Sequence, residues 1–436
     1  LRQSQDQPLA FVENTTPECR LGEKDFSRWW ESNKNKPPKA GVYTWENIDI
    51  FKDLPPNQQD DLRRVNEHFS KVFEVDKNKI PPPADHPPIR LKFKPGWKHV
   101  HSKEPRYGPG TRHVLTQWAE QQLRSGLYSR SSSSSSNRIH VVKKIPMDSP
   151  KDCAIEICDL RFCGDYKNAN SQLDKSTPTL TNGTEELNKL PGHTHYWQTD
   201  HYAMYNAYVL EKGPSRELLA IHTPIGLLEP NRMVFGEINA GQAATAPVRA
   251  NLAHLPKNAM ARTALYVDDN AQGSHSFEDL LEGWEDFLSM CREQNWTLNA
   301  SKTRLGYPHC TFFGFHADKN GTRLADKNLD PITRMVPPKD LHELRQTLGV
   351  FVQSKTYIPD YSLIVAPLTA LTRKDDGTPV PFIWNPERQT AFDTIRNQLL
   401  DGIHLSPPDY NLPFQCGGDA SNAGKSFGIY QFSDLP

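Results

Sequence analysis

The sequence predicts an α+β protein of several domains, and three observations point to that class. The chain has 436 residues, which sets a prior of two to four domains. Apolar residues recur at helical spacing in segments spread along the chain, and this pattern predicts amphipathic helices. Alternating segments joined by turn residues lie between them and predict antiparallel strand pairs.

Two helices and one strand pair are predicted in the first half of the chain. Apolar residues at helical spacing mark residues 57–73 and 111–124, and Gly126 ends the second helix. The segments IHVVKK (139–144) and RFCGDY (161–166) predict strands that pair across a long hairpin loop.

Two other segments in this half are expected to lie outside the helices and strands. PPPADHPP (81–88) predicts a stiff, extended linker because proline restricts the backbone and removes hydrogen-bond donors. The six serines at 131–136 are of low complexity and predict a mobile loop.

Three helices are predicted in the second half. Ser276 and Asp279 resemble a capping box that opens a helix over 276–294. Further helices are expected to begin at Asp340 and at Asn385, each followed by apolar residues at helical spacing.

Composition excludes two classes of protein. Lysine and arginine total 51 against 52 aspartates and glutamates, so a chain-wide basic surface for nucleic acid is absent. No apolar run approaches the ~20 residues of a membrane helix, which excludes an integral membrane protein. The 7 cysteines favour a reducing compartment over a disulfide scaffold. The chain begins LRQSQDQ, as expected of a piece of a longer polypeptide.

The near-zero net charge hides a local excess of positive charge. Between His86 and Ile145 the chain carries 12 lysines and arginines against Glu104 and Glu120, a balance of +10. This segment favours a surface that faces phosphates. A solvated face or a basic tail would give the same count.

The sharpest chemical signal is ALYVDDNAQGS (264–274). It predicts a strand, a tight turn and a second strand, with Asp268 and Asp269 at the tip. Adjacent carboxylates repel each other, and a divalent cation removes that conflict because Mg²⁺ prefers oxygen ligands. An ordinary Asp-Asn turn is the alternative. A two-metal site needs a further carboxylate from another strand, and Asp200 in WQTDHYAMY (197–205) is the candidate, with a helix N-cap as its other interpretation.

Further motifs follow one another in a fixed order along the chain. They are LRSGLYSRS (123–131), VVKK (141–144), RFCGDYKNAN (161–170), HTPIGLLEPNRMVFGEINA (222–240), YVDD (266–269), CTFFGFHADKNG (310–321), VPPKDLHELRQTLGVFVQSKTYIPDYSLIVAPLTALT (336–372), FIWNPERQTAFDTIRNQL (382–399) and LPFQCGGDASNAGKSFG (412–428). Over roughly residues 57–436, this series resembles the reverse transcriptase region, with the start of RNase H, of gypsy-type LTR retrotransposon (Metaviridae-like) polyproteins.

The resemblance implies a right-hand polymerase with an antiparallel palm sheet. The expected domains are an N-terminal extension or linker (1–85), fingers (86–189, with 208–239), palm (190–316), thumb (317–378), connection (379–410) and the truncated start of an RNase H-like domain (411–436).

The resemblance also implies the site residues. Asp200, Asp268 and Asp269 would be the catalytic carboxylates that hold two Mg²⁺ ions, with Mn²⁺ as a substitute. The expected nucleotide-binding residues are Arg161 and Lys143 or Lys144 on the triphosphate, Tyr205 against the ribose 2′-hydroxyl, Phe235 and Gly236 as the pocket floor, and Lys302 near the triphosphate. Phe313, Gly314 and His316 would grip the primer. Asp419 is the acid of the RNase H remnant and cannot cleave RNA alone.

The implied function is an RNA- and DNA-templated DNA polymerase that extends a primer 3′-hydroxyl. Its implied partners are an RNA template, a DNA primer, dNTPs and the other polyprotein products (protease, RNase H and integrase). No membrane partner is expected, and the oligomeric state is left open. The expected location is intracellular, in a cytoplasmic virus-like particle or the nucleus.

Departures from the family pattern keep other interpretations open. The segment EINAGQAATAP (237–247) replaces a proline and bulky residues of the family, and His201 stands where an apolar residue is usual. A decayed or domesticated relic that binds nucleic acid without polymerising would show such changes. GGDASNAGKS (417–426) approaches the P-loop of nucleotide hydrolases but has one residue too many between its glycines. Residues 1–85 alone would also suit a non-enzymatic scaffold.

Overall fold

A computed structural model describes residues 42–73, 75–76, 80–143, 160–176, 182–375, 378–402, 405–406, 412–420 and 425–431. Its α-helices are α1 (Pro56–His68), α2 (Ser70–Phe73), α3 (Pro109–Ser125), α4 (Lys167–Ser171), α5 (Gly183–Leu187), α6 (Met204–Ala207), α7 (Pro214–Glu217), α8 (Ala240–Leu252), α9 (Lys257–Arg262), α10 (Phe277–Glu293), α11 (Asp326–Thr333), α12 (Leu341–Gln353), α13 (Tyr361–Ala370) and α14 (Pro386–Leu400). Its strands are β1 (Val42–Tyr43), β2 (Asp49–Ile50), β3 (Val75–Asp76), β4 (Tyr128–Arg130), β5 (Arg138–Lys143), β6 (Leu160–Asp165), β7 (His195–Asp200), β8 (Ile221–Thr223), β9 (Gly226–Pro230), β10 (Thr263–Tyr266), β11 (Asp269–Ser274), β12 (Arg304–Tyr307), β13 (His309–Phe312), β14 (Phe315–Asp318), β15 (Gly321–Leu324), β16 (Lys374–Asp375), β17 (Thr378–Pro379), β18 (Gln415–Ala420) and β19 (Lys425–Tyr430).

A five-stranded sheet forms the centre of the molecule. Its strand order is β10-β11-β7-β12-β2, and every neighbouring pair is antiparallel except β12 and β2. Helix α10 packs on this sheet: Trp284 is fully buried, and its ring centroid lies 5.2 Å from that of Trp197 on β7. The α+β class and the antiparallel sheet expected from the sequence are confirmed.

Two smaller sheets lie in the region expected to be the fingers. One has the order β4-β9-β8, and the other pairs β5 with β6. Helix α3 packs on this pair, because the ring of Trp118 stacks on that of Phe162 with centroids 5.0 Å apart. The strand pair predicted at 139–144 and 161–166 is confirmed, whereas the loop joining them lies outside the described residues.

Helices α11 to α14 and the sheet β13-β14-β15 share a second hydrophobic core. Phe312, Phe351 and Phe392 are buried there. The helix starts predicted at Asp340 and Asn385 are confirmed. The Asp340 side chain accepts the Glu343 N–H at 2.8 Å, and Asn385 accepts the Arg388 N–H at 3.0 Å.

The helices predicted at 111–124 and 276–294 are also confirmed, and Gly126 ends the first in a left-handed conformation with φ +77°. The helix predicted at 57–73 is divided into α1 and α2, with Phe69 between them. No helix in the described part of the chain is long and apolar enough to cross a membrane.

Residues 42–73 are a packed part of the fold, which fits the expected N-terminal extension rather than a free linker. Leu62 of α1 is fully buried. Asn66 accepts a hydrogen bond from the indole N–H of Trp284 at 2.9 Å, and β2 extends the central sheet. Residues 1–41 lie outside the described residues.

The proline-rich segment 81–88 has no regular secondary structure, bends at Asp85 and His86, and is docked on the protein, so the expected extended linker is wrong. The Ala84 N–H donates to the Ala207 carbonyl at 2.9 Å. The Asp85 N–H donates to the Gln294 carbonyl at 2.9 Å. Its backbone therefore has fixed partners, which a free linker would lack.

The serine run 131–136 was expected to be a mobile loop, and that expectation is wrong. Ser135 is fully buried, and its hydroxyl lies 2.9 Å from Nδ1 of His99. The Ser136 N–H donates to the Val100 carbonyl at 2.7 Å. Composition alone cannot reveal that small hydroxyl side chains find such partners.

Helix α5 lies beside β10, the outermost strand of the central sheet. Glu186 is 6% exposed and accepts a hydrogen bond from the Leu265 N–H at 3.0 Å. Lys189 forms an ion pair with Glu186 at 2.7 Å and donates to the Thr263 carbonyl at 3.2 Å. These contacts fix β10 along the side that faces away from β11.

Candidate active site

The β10–β11 hairpin presents Asp268 and Asp269 at one end of the central sheet. Its turn holds Val267 at φ +54°, a left-handed conformation that β-branched residues rarely adopt. Such strain costs on the order of 1–3 kcal/mol and persists where the surroundings over-determine the backbone. The strand, turn and strand predicted at 264–274 are confirmed.

Strand β7 brings Asp200 to the same point. Asp200 ends β7 and is the register partner of Asp269. The next residue, His201, donates its backbone N–H to the Asp268 carbonyl at 3.0 Å. The three acids predicted from distant segments therefore meet at the ends of adjacent strands.

The side-chain ammonium of Lys302 lies against these acids. The 3-10 helix Ala300–Lys302 precedes β12, and the Lys302 ammonium forms an ion pair with the Asp200 carboxylate. Beside this pair, the hydroxyls of Thr199 and Thr303 are 2.7 Å apart and join β7 to the start of β12. The lysine that was expected near a triphosphate thus belongs to the acid cluster.

The crowding of carboxylates perturbs titration at this site. Burial raises the pKa of Asp269 to about 8, a hydrogen bond with Asp200 and the charges of Asp200 and Asp268 act in the same direction, and Lys302 opposes them. Burial by itself lowers the pKa of Lys302, but Asp200, followed by Asp268 and Asp269, makes the net shift upward. A site that keeps one carboxyl protonated near neutral pH is short of positive charge.

The donor chemistry of the site suits a magnesium ion. Asp200 and Asp269 offer carboxylate oxygens at paired positions, and oxygen ligands are what Mg²⁺ prefers. Within the described ranges, no group of three or more His, Cys, Asp or Glu side chains is arranged to hold a metal ion. The three-carboxylate set with two metals therefore stays a prediction.

A cavity of about 540 Å³ opens beside the hairpin. Six residues predicted from the sequence line it: Tyr205, Phe235, Asp268, Asp269, Phe313 and Gly314. Helices α11 and α12, from the region expected to be the thumb, line the cavity as well. Carboxylates and aromatic rings thus share one cleft that is wide enough for a nucleotide-sized group.

The expected nucleotide pocket is built around an aromatic pair. Tyr205 lies on α6, and its ring meets that of Phe235 edge-on with centroids 4.4 Å apart. Phe235 is 57% exposed. Gly236 has φ +90°, and a Cβ there would lie 3.4 Å from the Gly164 carbonyl oxygen. The positive φ therefore favours glycine, whereas the distance to Gly164 would allow a Cβ in ordinary contact.

Of the expected primer-binding residues, two line the cavity and one does not. Phe313 and Gly314 form the β13–β14 turn and line the cavity. His316 does not line it: its ring stacks on His309 with centroids 4.7 Å apart and lies 3.4 Å from Asp318. Burial, helped by neighbouring cations, lowers the pKa of His316.

The expected triphosphate-binding residues of the fingers lie on the β5–β6 pair. Arg161 is exposed on β6, opposite Val142 of β5. Lys143 is the last residue of β5, and Lys144 lies outside the described residues. Which lysine meets a nucleotide stays a prediction.

The segment expected to be the start of an RNase H-like domain forms a hairpin of β18 and β19. Asp419 on β18 is the register partner of Ser426 on β19. Lys425 and Ser426 therefore begin a strand, whereas a P-loop places this Lys-Ser pair at a helix N-terminus. The nucleotide-hydrolase alternative is wrong.

Sequence reasoning missed the wall of the cavity that the thumb region supplies. Lys327 and Asn328 of α11 line this wall, as does Gln353 at the end of α12. The Asn328 side chain donates to the Gly314 carbonyl at 2.8 Å. No local pattern marks these residues, because their role depends on a tertiary contact.

No protein-family model matches the chain. The chain is 26% identical over 287 residues to the Gag-Pol polyprotein of woolly monkey sarcoma virus, a match that covers 62% of this chain and 16% of that polyprotein. It is also 26% identical over 266 residues to a Tf2 transposon polyprotein of Schizosaccharomyces pombe, over 60% of this chain and 19% of the polyprotein. The matches therefore span less than a fifth of these curated relatives.

Solved structures of reverse transcriptases share the fold of this chain. The chain matches a foamy viral protease-reverse transcriptase in complex with double-stranded DNA with a TM-score of 0.75 at 18% identity, over 92% of this chain and 68% of that one. A foamy viral protease-reverse transcriptase in complex with an RNA/DNA hybrid gives a TM-score of 0.72 at 18% identity, over 92% and 52%. The resemblance inferred from the motifs is confirmed: the chain is related to the polyproteins of retroviruses and LTR retrotransposons and has the fold of a reverse transcriptase.

Proposed function

We propose that the chain is an RNA- and DNA-templated DNA polymerase that adds nucleotides to a primer 3′-hydroxyl. The observation that carries this proposal is the register pairing of Asp200 with Asp269, beside Asp268, at the mouth of a cleft. Carboxylates that meet from separate strands, in a cleft with aromatic walls, suit nucleotidyl transfer better than a structural role.

Each charged group at the site has a role in the proposed reaction. Asp200, Asp268 and Asp269 would hold Mg²⁺, and when bound the two ions would activate the primer hydroxyl and stabilise the leaving pyrophosphate. Asp200 and Asp269 lie at paired positions. Among the described residues, Asp268 does not complete a group of three metal ligands with them. Lys302 brings a positive charge to the same edge, where it would meet the triphosphate.

The aromatic pair suits selection of the sugar. Tyr205 and Phe235 line the cavity together with Asp268 and Asp269. A ring packed on a second ring cannot yield easily, so the Tyr205 ring would crowd a ribose 2′-hydroxyl and favour deoxynucleotides. The basic segment 86–145 would support the template strand.

The nucleic-acid partners follow from the same proposal. The foamy viral proteins of this fold were solved with double-stranded DNA and with an RNA/DNA hybrid. An RNA template, a DNA primer and dNTPs are the corresponding partners proposed for this chain. We also propose that it works beside protease, RNase H and integrase in an intracellular particle or the nucleus.

The test is primer extension on a poly-rA template with Mg²⁺ or Mn²⁺. Asp200→Asn removes the charge of a paired carboxylate, and we expect extension to fall by about a thousandfold or more. The affinity for primer–template should stay within about threefold of the wild-type value, because basic residues elsewhere in the chain provide it. The control is Asp360→Asn, at an exposed residue with φ +53° that asparagine tolerates. Substantial extension by the Asp200→Asn protein would refute the role of Asp200.

A catalytically decayed relic that still binds nucleic acid is the second candidate. The observation in its favour is the segment 237–247, which departs from the family pattern and begins with Glu237, a buried acid beside the pocket floor. The extension assay separates the two candidates. A folded wild-type protein that binds primer–template without incorporating nucleotides would establish the relic.

A further inference from the structure

Two strained turns meet in the lining of the cleft. Val267 has φ +54° in one turn, and Phe313 and Gly314 have φ +53° and +81° in the other. The turns touch through Tyr266 and Phe313, whose rings meet edge-to-face with centroids 4.4 Å apart. Bulky residues keep a left-handed conformation only where their neighbours fix it, so each turn depends on the packing of the other.

The β13–β14 turn is anchored to α11. The Gly314 carbonyl accepts one hydrogen bond from the Ala325 N–H at 3.1 Å and another from the Asn328 side chain at 2.8 Å. A Cβ on Gly314 would lie 2.5 Å from the Asn328 amide nitrogen. Glycine therefore meets two requirements at once, a positive φ and a close approach of the asparagine.

The Phe313 ring has a second close neighbour. A Cβ added to Gly183 would lie 2.5 Å from that ring. The ring thus contacts both Gly183 and Tyr266, and it has little freedom to absorb a shift of its own backbone.

We infer that Asn328 is a positioning residue for the hairpin that carries Asp268 and Asp269, an inference that rests on the proposed polymerase function. Its side-chain amide holds the Gly314 carbonyl, and that bond sets the Phe313 ring against Tyr266. Tyr266 leads directly into the strained turn before Asp269. Because Asn328 belongs to α11, it couples the placement of the thumb helices to the position of the acids.

The test removes the Asn328 donor in two ways. Asn328→Leu keeps the approximate volume, and Asn328→Asp keeps the shape but cannot donate when ionised. The second variant serves if the first does not fold. The matched control is Asn385→Ala, which deletes one hydrogen bond to a backbone N–H at the start of α14. The readouts are amide hydrogen exchange over residues 263–274 and single-nucleotide addition to a primer–template.

We expect both Asn328 variants to exchange the hairpin amides about tenfold faster than wild type, and Asn385→Ala to leave them unchanged. The kcat of nucleotide addition should fall about tenfold, whereas the Kd for primer–template stays within about twofold. Asn328→Gln, which keeps the amide on a longer side chain, should recover part of both losses.

Unchanged hairpin exchange in both Asn328 variants would overturn the inference, and so would an equal change in the Asn385→Ala protein. The exchange readout needs no catalysis. A wild-type chain that fails to extend a primer would therefore refute the proposed function, while the hydrogen-exchange comparison would still decide whether Asn328 positions the hairpin.

Discussion

Glu237 is a buried acid next to the floor of the expected nucleotide pocket. It is 5% exposed, and one carboxylate oxygen accepts the Asn239 N–H at 3.0 Å. Burial raises the pKa of Glu237 to about 7, and the bond from Asn239 opposes this shift. The carboxyl is therefore largely neutral below that pH, which reduces the cost of burying it.

This shift predicts a pH dependence of stability. The folded carboxyl binds a proton more tightly than the unfolded one, so the free energy of unfolding falls as pH rises from about 4.5 to about 7 and stays low above that range. We expect Glu237→Gln, which does not titrate, to abolish this fall, worth at most about 3 kcal/mol. Urea unfolding at several pH values measures it. The exposed Glu185→Gln is the control, and the same flattening in that protein would contradict the assignment.

The residues of the cleft show what a motif can and cannot predict. Asp268, Asp269 and Tyr205, which the motifs singled out, line one cavity, whereas the roles that the resemblance implies for them stay predictions. Phe315 of β14 lines the cavity but the next residue, His316, does not, since successive residues of a strand face opposite sides. Asn328 was missed because its partner is distant in sequence.

Helix α10 contains a glycine where helix propensity alone would favour alanine. A Cβ on Gly283 would collide with the side-chain oxygen of Gln272. Gln272 is fully buried and cannot move freely, because that oxygen accepts the Trp197 indole N–H at 3.1 Å and its amide donates to the Thr263 hydroxyl at 2.8 Å. The glycine therefore lets the helix pack closely on the central sheet.

We expect Gly283→Ala to lower the free energy of unfolding by about 1–3 kcal/mol, because the buried Gln272 bonds must break or shift. Gly349 of α12 is exposed, and a Cβ there would meet nothing within 4 Å. Gly349→Ala should instead stabilise the protein, by up to about 1 kcal/mol. Thermal unfolding of both proteins gives the comparison, and stabilisation by both substitutions would refute the packing argument.

The starts of helices that have a capping residue could be predicted from the sequence. Ser276, Asp340 and Asn385 each accept a backbone N–H at the helix start, as a capping residue does. The serine run at 131–136 was not predictable, because hydroxyl groups that satisfy backbone partners look identical in sequence to those that face water. The break at Phe69 likewise had no local signal.

The N-terminal stretch 42–73 belongs to the same core as the central sheet. Helix α1 buries Leu62 and contacts α10 through the bond between Asn66 and Trp284. Strand β2 pairs with β12, which follows directly after Lys302 and Thr303. Residues 42–73 therefore support β12, the strand that follows Lys302 and helps to hold its ammonium at the acid cluster.

Leu62→Ala tests this dependence across the whole molecule. Removing a fully buried leucine leaves a cavity, and we expect the free energy of unfolding to fall by about 2–5 kcal/mol. Leu363 on α13 is 50% exposed, and Leu363→Ala should change stability by no more than about 0.5 kcal/mol. Urea unfolding of both proteins provides the measurement. Equal effects would show that residues 42–73 are not part of the main core.

The overall fold was predictable from the order of the motifs, since that order fixes which segments build the central sheet. The docking of residues 42–88 was not, because the quoted motifs begin at residue 123 and a proline-rich composition is typical of linkers as well as of docked segments. The apolar spacing at 57–73 predicted a helix, but no local pattern indicated that this helix packs on the central sheet.

The contact of Glu186 with β10 has a consequence for self-association. An outer strand normally offers unpaired N–H and carbonyl groups to which a strand from another molecule can add, and this is a common start of aggregation. Here the Leu265 N–H donates to the Glu186 carboxylate, and the Thr263 carbonyl accepts a hydrogen bond from Lys189. A second chain would have to displace a buried, charge-paired carboxylate before it could extend the sheet at β10, so this edge resists strand addition between copies.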